Sequence, residues 1–411
     1  MKTIGIIAEF NPFHKGHEYL INKCKKELQA EYCVVVMSGD YVQRGAPAII
    51  SKYTRAKMAL SCGADLVLEL PVYYSLGSAE YFAGGAVSLL DKLGCIDYLC
   101  FGAETPDCNA LSLVADVLKN EPESFKNELE KELKKGLPYP VARENALSRY
   151  LEASGPFDSE SSKKVLGSPN NILAIEYLKA IRTINSSMIP YPIKREGADY
   201  HSEEVNDIAS AQGIRNYLFS PKSQHASSLE NMIPANALEI FNGNTGKYLD
   251  CDDYSDYLYY KLLTEKNNGY QKYLDVTEDL SNRIQANLDY FSSFNLFCDA
   301  IKSKNLTYTR VSRCLFHILL NITKENMNNY KEDGYTAYGK ILGLKKSSFP
   351  LLSDIQSVAT IPVLNRLKDA KQVLSPLQMN LFEESLLSSC LYNKTANNDI
   401  ISEYRLKPII L

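Results

Sequence analysis

Four strand-length apolar runs, spaced by stretches of helical length, constrain this chain more than any other feature. Residues 3–9 (TIGIIAE), 32–37 (YCVVVM), 66–70 (LVLEL) and 98–101 (YLCF) read as strands. Between them, residues 17–29, 52–62 and 79–93 carry helical periodicity, and Gly63 and Gly94 stand where a helix ends. Strands that are apolar throughout, not alternating, belong to a parallel sheet covered on both faces. The expected fold class is α/β, a doubly wound parallel sheet of the Rossmann-like kind. Ligands bind such sheets at the carboxyl ends of the strands. Residues 10–17, 38–44 and 102–104 all follow strands at those ends.

The remainder divides in two. Residues 109–153 are helical and strongly charged, which suits a helical insertion with a solvated face, and residues 188–194 read as a last strand. Residues 220–228 (SPKSQHASS) are polar and contain a proline, as a domain boundary does. Beyond them the runs at 235–240, 254–264, 280–286, 312–322 and 377–392 are helical, with a short α/β piece near 335–344 and 359–364. We therefore expect a sheet domain over 1–220 and a mainly α-helical domain over 221–411.

The formal net charge of −4 excludes a histone-like polycation, so any nucleic-acid contact has to come from a local patch. The ten cysteines form no CxxC pair and no zinc pattern with histidine, which predicts reduced thiols and no metal held by the protein. No apolar stretch approaches the length of a membrane span, and the first residues do not form a signal peptide, so the expected compartment is the cytoplasm.

The chemistry concentrates after the first strand. Of five histidines, two, His14 and His17, fall in one four-residue window, with Gly16 between them, where strand becomes helix. A helix N-terminus offers free N–H groups and a partial positive charge to phosphate, and Gly16 lets a ligand approach the backbone. Two imidazoles there can donate to phosphate oxygens and stabilise a leaving pyrophosphate. Lys15 could neutralise phosphate charge. Asp40 is either a turn residue after Gly39 or a contact to an acyl group, an incoming base or a metal.

The run Phe10-Asn11-Pro12-Phe13-His14-Lys15-Gly16-His17 resembles the HxGH signature of the nucleotidyltransferase superfamily. Residues 38–48 (SGDYVQRGAPA), Glu69-Leu70-Pro71, Phe101-Gly102-Ala103-Glu104 and 168–173 (SPNNIL) follow in order, and together they are similar to the tRNA(Met) cytidine acetate ligases. That resemblance implies a nucleotidyltransferase domain that reacts acetate with ATP to give acetyl-AMP and pyrophosphate. It implies acetyl transfer to N4 of the wobble cytidine of elongator tRNA(Met), giving N4-acetylcytidine. Mg²⁺ is expected to accompany the phosphates. On their position and chemistry His14, His17, Lys15 and Asp40 are the catalytic candidates. ATP is expected on the strand-one segment, that is Ile7, Ala8, Glu9, Phe10, Asn11, Pro12, Phe13, His14, Lys15, Gly16, His17, Glu18, Tyr19 and Leu20. Gly102, Asn170 or Asn171, and Arg195 with its neighbour Glu196 complete that set. A late phosphate-gripping motif is matched by residues 210–215 (SAQGIR). Ser210 and Arg215 are its candidates, whereas Gln212 and Gly213 depart from the usual pattern.

For RNA, residues 302–313 hold four cations, Lys302, Lys304, Arg310 and Arg313, with Tyr308 and no acid. Cations with a ring suit phosphates and a stacked base, although a basic helix start reads the same way. Arg44, after the second strand, is a further RNA candidate. Two other functions stay open: a nucleotidyltransferase that adenylates a small cofactor precursor, and a non-catalytic RNA-binding module. A requirement for tRNA separates the first and failure to bind ATP would favour the second. Composition does not fix the oligomeric state.

Overall fold

The computed structural model describes residues 1–137, 139–154, 165–195, 210–219, 229–397 and 402–411. Its centre is an eight-stranded sheet. The strands are β1 (Thr3–Ala8), β2 (Tyr32–Ser38), β5 (Leu66–Leu70), β6 (Tyr98–Ala103), β7 (Ile189–Lys194), β8 (Gly339–Leu344), β9 (Val363–Leu364) and β10 (Ile409–Ile410). Two further strands, β3 (Tyr41–Val42) and β4 (Ala46–Pro47), form a separate antiparallel hairpin.

The order across the sheet is β10-β8-β5-β2-β1-β6-β7, with β9 also pairing β8. Strands β5, β2, β1, β6 and β7 run parallel, and β8 is antiparallel to β5. The register of β1 on β2 runs from Thr3↔Tyr32 to Ala8↔Met37. The chain winds from β1 through β2 to β5, then crosses back to place β6 on the other side of β1. The order thus reverses between β1 and β6, which opens a crevice at their carboxyl ends.

Continuous apolarity has the expected cause. Every residue of β5 is buried, and all of β2 except Tyr32, because helices cover both faces. Val34, Val36, Leu66 and Leu68 join one hydrophobic cluster, while Cys33, Val35, Met37 and Val67 join the other. The helices Lys15–Leu28, Lys52–Ser61, Ala79–Lys92 and Pro169–Thr183 form the covering layers. The charged stretch after β6 folds as helices Cys108–Asn120, Glu123–Lys134 and Tyr139–Ser154.

The second half is mostly helical, as its periodicity predicts. However, β8, β9 and β10 belong to the same sheet as β1, so residue 220 is not a boundary of the sheet. The polar segment at 220–228 lies outside the described residues. The short runs at 335–344 and 359–364 read as a local piece because sequence periodicity does not report which distant strand an edge will meet. All ten cysteines are free thiols. Among the described residues no helix is long and apolar enough to cross a membrane.

Candidate active site

The strand-one loop places its two imidazoles by a reciprocal cap. His14 is the N-cap of the helix Lys15–Leu28, and its Nδ1 accepts from the Gly16 N–H at 3.1 Å. His17 Nδ1 accepts from the His14 N–H at 3.2 Å. A neutral imidazole carries one proton, so both rings are assigned by these bonds as Nε2–H donors. The rings stack with centroids 3.7 Å apart, and Phe10 packs edge-on to His17 at 4.7 Å. Burial, reinforced by the charges of Arg195 and Arg215, lowers the His14 pKa to about 3. Burial, with His14 and Arg195 beside it, also holds His17 well below the ordinary value. The site therefore presents two neutral, oriented N–H donors and needs no reorganisation to use them.

A pH dependence follows. With a folded pKa near 3 against an ordinary 6.5, the unfolded chain binds more protons at His14 between those values. Stability is therefore present above pH 6.5 and declines as pH falls toward 3. At pH 5 His14 alone should cost the ligand-free protein about 2 kcal/mol relative to neutral pH. Denaturant titration of the wild type against His14→Asn checks this; equal pH slopes would refute it.

The other candidates gather around the same crevice. Gly102, in β6, lies against Arg195, whose Cγ would sit 3.1 Å from a Cβ placed there. Arg195 donates from Nη1 to Asn170 Oδ1 at 3.2 Å, and Asn170 Nδ2 donates to Glu104. Asn171 points elsewhere. It is fully buried, and its Oδ1 accepts from the Glu104 and Thr105 N–H groups at 3.0 and 3.2 Å. The two asparagines thus separate into one beside the arginine and one that shapes the loop. Asn170→Ala should raise the KM for ATP about ten-fold, with little change in melting temperature. Asn171→Ala should instead destabilise by about 1–3 kcal/mol. Steady-state kinetics with thermal melts tests the pair, and reversed effects would sink the assignment.

Arg215 reaches the loop itself, donating to the Asn11 carbonyl at 2.6 Å and to Gln212 Oε1 at 2.5 Å. Arg44 Nη1 lies 3.5 Å from the same Gln212 oxygen. Gln212, the residue that departs from the motif, therefore stands between two guanidiniums. Ser210 Oγ accepts from the Gly213 N–H at 3.1 Å and so caps the helix Ala211–Phe219. Glu196 lies outside the described residues.

Not every candidate faces the crevice. Ala8, Tyr19 and Leu20 pack into the hydrophobic cluster on one sheet face. Glu18 lies beside the Cys62 thiol. Asp40 is turned inward, its side chain only 2% exposed. Its carboxylate accepts from the Lys52 N–H and pairs with Lys52 Nζ, both at 3.2 Å. Its place after a strand suggested a ligand contact, but the helix Lys52–Ser61 covers it with a buried lysine.

In the basic tract, Tyr308 is half-buried, and its hydroxyl donates to Asn295. Lys302 pairs with Asp299 at 2.7 Å, and Lys304 is exposed. Arg310 and Arg313 lie on the helix Tyr308–Leu319. That helix seats the hairpin carrying Arg44. Gly45 has φ +75°, a Cβ there would fall 2.4 Å from Arg313 N, and the Gly45 carbonyl accepts from Ser312 Oγ. The tract and Arg44 are thus joined through one contact.

Sequence reasoning missed Lys52 and Arg55, two buried cations on one helix. Their i, i+3 spacing on a face shared with Ala56 and Ala59 was the available signal, since a cation on an apolar face must have partners.

A parallel sheet whose order reverses at β1, with an HxGH loop capping the next helix and arginines converging on it, defines a nucleotidyltransferase. The family described as HIGH Nucleotidyl Transferase matches residues 1–405. Within that class the chain belongs to the tRNA(Met) cytidine acetate ligases. It is 39% identical to the ligase of that name from Acetivibrio thermocellus, over 95% of this chain and 94% of that one. It is 40% identical to the one from Clostridium kluyveri, over 98% of each. Among solved structures, Thermotoga maritima TmcAL bound with alpha-thio ATP superposes with a TM-score of 0.91 at 28% identity, covering all of both chains.

Proposed function

We propose that this protein is an ATP-dependent ligase that activates acetate as acetyl-AMP and acetylates N4 of the wobble cytidine of elongator tRNA(Met). The observation that carries the reading is the pair of neutral Nε2–H donors at a helix N-terminus, flanked by Arg195 and Arg215. The named relatives and the TmcAL structure with an ATP analogue support the same reading.

In the first step an acetate oxygen attacks the α-phosphorus, and the bond from that phosphorus to the bridging oxygen breaks. Pyrophosphate leaves carrying the electron pair. His14 and His17 stabilise the charge that grows on it, and Arg195 and Arg215 hold the phosphates. In the second step cytidine N4 attacks the acetyl carbonyl, AMP leaves, and N4 loses a proton. Neither step needs a protein nucleophile; positioning supplies much of the rate. Among the described residues no group of three or more His, Cys, Asp or Glu could hold a metal. Mg²⁺ enters with the nucleotide as substrate, since it binds phosphates and keeps several waters. Arg44, Lys304 and Arg310 are the cations we assign to the tRNA phosphates, and a tRNA substrate fits a cytoplasmic enzyme.

The test is to incubate protein with ATP, Mg²⁺, labelled acetate and elongator tRNA(Met), then digest the tRNA. Label in cytidine is expected. Acetate-dependent pyrophosphate release without label in tRNA would keep the adenylation and reassign the acceptor. Absence of both would remove the proposal.

A further inference from the structure

The β1–β2 ladder ends at Ala8 and Met37, while Ser38 still pairs with Leu70 of β5. Arg55 lies just beyond that end. It is completely buried, and among the described residues it makes no ion pair. Its Nη1 donates to the carbonyls of Glu9, at 2.6 Å, and Ser38, at 3.0 Å. Its Nη2 donates to Gly39, and its Nε to Ile50 at 3.1 Å. Every acceptor is a backbone carbonyl, and they come from three segments: the start of the strand-one loop, the turn after β2, and the stretch leading into the helix Lys52–Ser61.

Two shorter ties run alongside. Glu9 Oε1 accepts from the Gln43 N–H at 2.8 Å, which fixes the hairpin β3–β4 to β1. Asn11 Oδ1 accepts from the Ile49 N–H at 2.8 Å. Glu9 and Asn11 begin the loop that presents His14 and His17, and Gln43 adjoins Arg44.

We propose that Arg55 is a positioning residue that, together with the Glu9–Gln43 tie, locks the strand-one loop and the Arg44 hairpin into a single rigid seat, so that nucleotide and tRNA are aligned through one buried guanidinium. The inference rests on the proposed ligase reading. A buried cation is costly unless well partnered, and a purely packing role would be met more cheaply by an apolar side chain. What only guanidinium provides is a planar fork that holds several carbonyls in a fixed relation. A displacement of about 1 Å at a reacting centre costs on the order of 100-fold in rate, so the fork's rigidity has catalytic weight.

Arg55→Lys keeps the charge and loses the fork. Expected is a folded variant in which kcat for acetate-dependent pyrophosphate exchange falls at least about ten-fold. In the same variant the KM for tRNA in acetylation rises several-fold. Glu384→Gln serves as the comparison. Glu384 is a remote carboxylate accepting from Tyr73, Tyr330 and Asn326, and its loss should lower the melting temperature without either kinetic change. Wild-type values in folded Arg55→Lys would overturn the inference, as would losses that only follow the folded fraction. If Arg55→Lys does not fold, hydrogen exchange on the wild type decides. ATP should protect residues 41–47 together with residues 9–17, and protection confined to 9–17 would overturn the single seat. Wild-type exchange and acetylation test the ligase reading separately, so the two failures are distinguishable.

Discussion

His17→Ala should lower kcat for acetate-dependent pyrophosphate exchange by about 10²–10³-fold, the usual cost of one oriented donor to a developing oxyanion. The side chain also closes the cap by accepting the His14 N–H, and losing that bond should cost about 0.5–2 kcal/mol of stability. The two effects differ in size and are measured separately, by exchange kinetics and by thermal melting. A fall of less than ten-fold in a well-folded variant would mean that the phosphates are held by the arginines alone. His17→Asn sharpens the test, because a side-chain oxygen can restore the cap without restoring a donor at the position of Nε2.

Lys52→Met should be the most destabilising single substitution outside the apolar core. Lys52 Nζ lies 3.2 Å from Asp40, 2.8 Å from Glu69 and 2.6 Å from Glu403, with Ser389 Oγ also at 2.6 Å. Lys340 adds a second cation, 2.6 Å from Glu69 and paired with Glu403. Burial pushes Glu403 up, but Lys340 and Lys52 outweigh it and hold its pKa at about 2. Deleting Lys52 leaves three buried carboxylates to one lysine. Removing one partner of a buried pair costs about 3–5 kcal/mol, a large part of a normal stability of about 5–15 kcal/mol. Guanidinium unfolding at neutral pH measures it, and a loss below about 1 kcal/mol would show that water reaches the cluster. Since the cluster joins β5, β8, the helix Pro376–Thr395 and Glu403, partial unfolding should begin with the second half leaving the sheet.

Much of this molecule was readable before its coordinates. The runs at 3–9, 32–37 and 66–70 are apolar because both sheet faces are covered, and that same cause made them recognisable as parallel strands. His14 and His17 were legible because helix-start chemistry is local, with donor, acceptor and glycine all within four residues. What was not legible depends on long-range partners. Nothing near residues 339–344 states that they will lie antiparallel to β5. Asp40 stood out by its position after a strand, and its side chain is turned inward onto Lys52 of the helix that follows. Asn170 and Asn171 were indistinguishable as neighbours in a string and separated once one met Arg195 and the other met the backbone of Glu104.

The antiparallel seat of β8 beside β5 has a consequence for how the chain is made. β5 ends at Leu70 and β8 begins at Gly339, so the ribosome completes roughly 270 residues between them. At about 5–20 residues per second, the LVLEL edge waits on the order of tens of seconds with its backbone groups uncovered. An apolar, unpaired edge is a template for a neighbouring chain on the same message. A truncated product ending near residue 220 would keep that edge open permanently, so such fragments should accumulate as aggregates, and nascent chains of intermediate length should be prominent clients of chaperones.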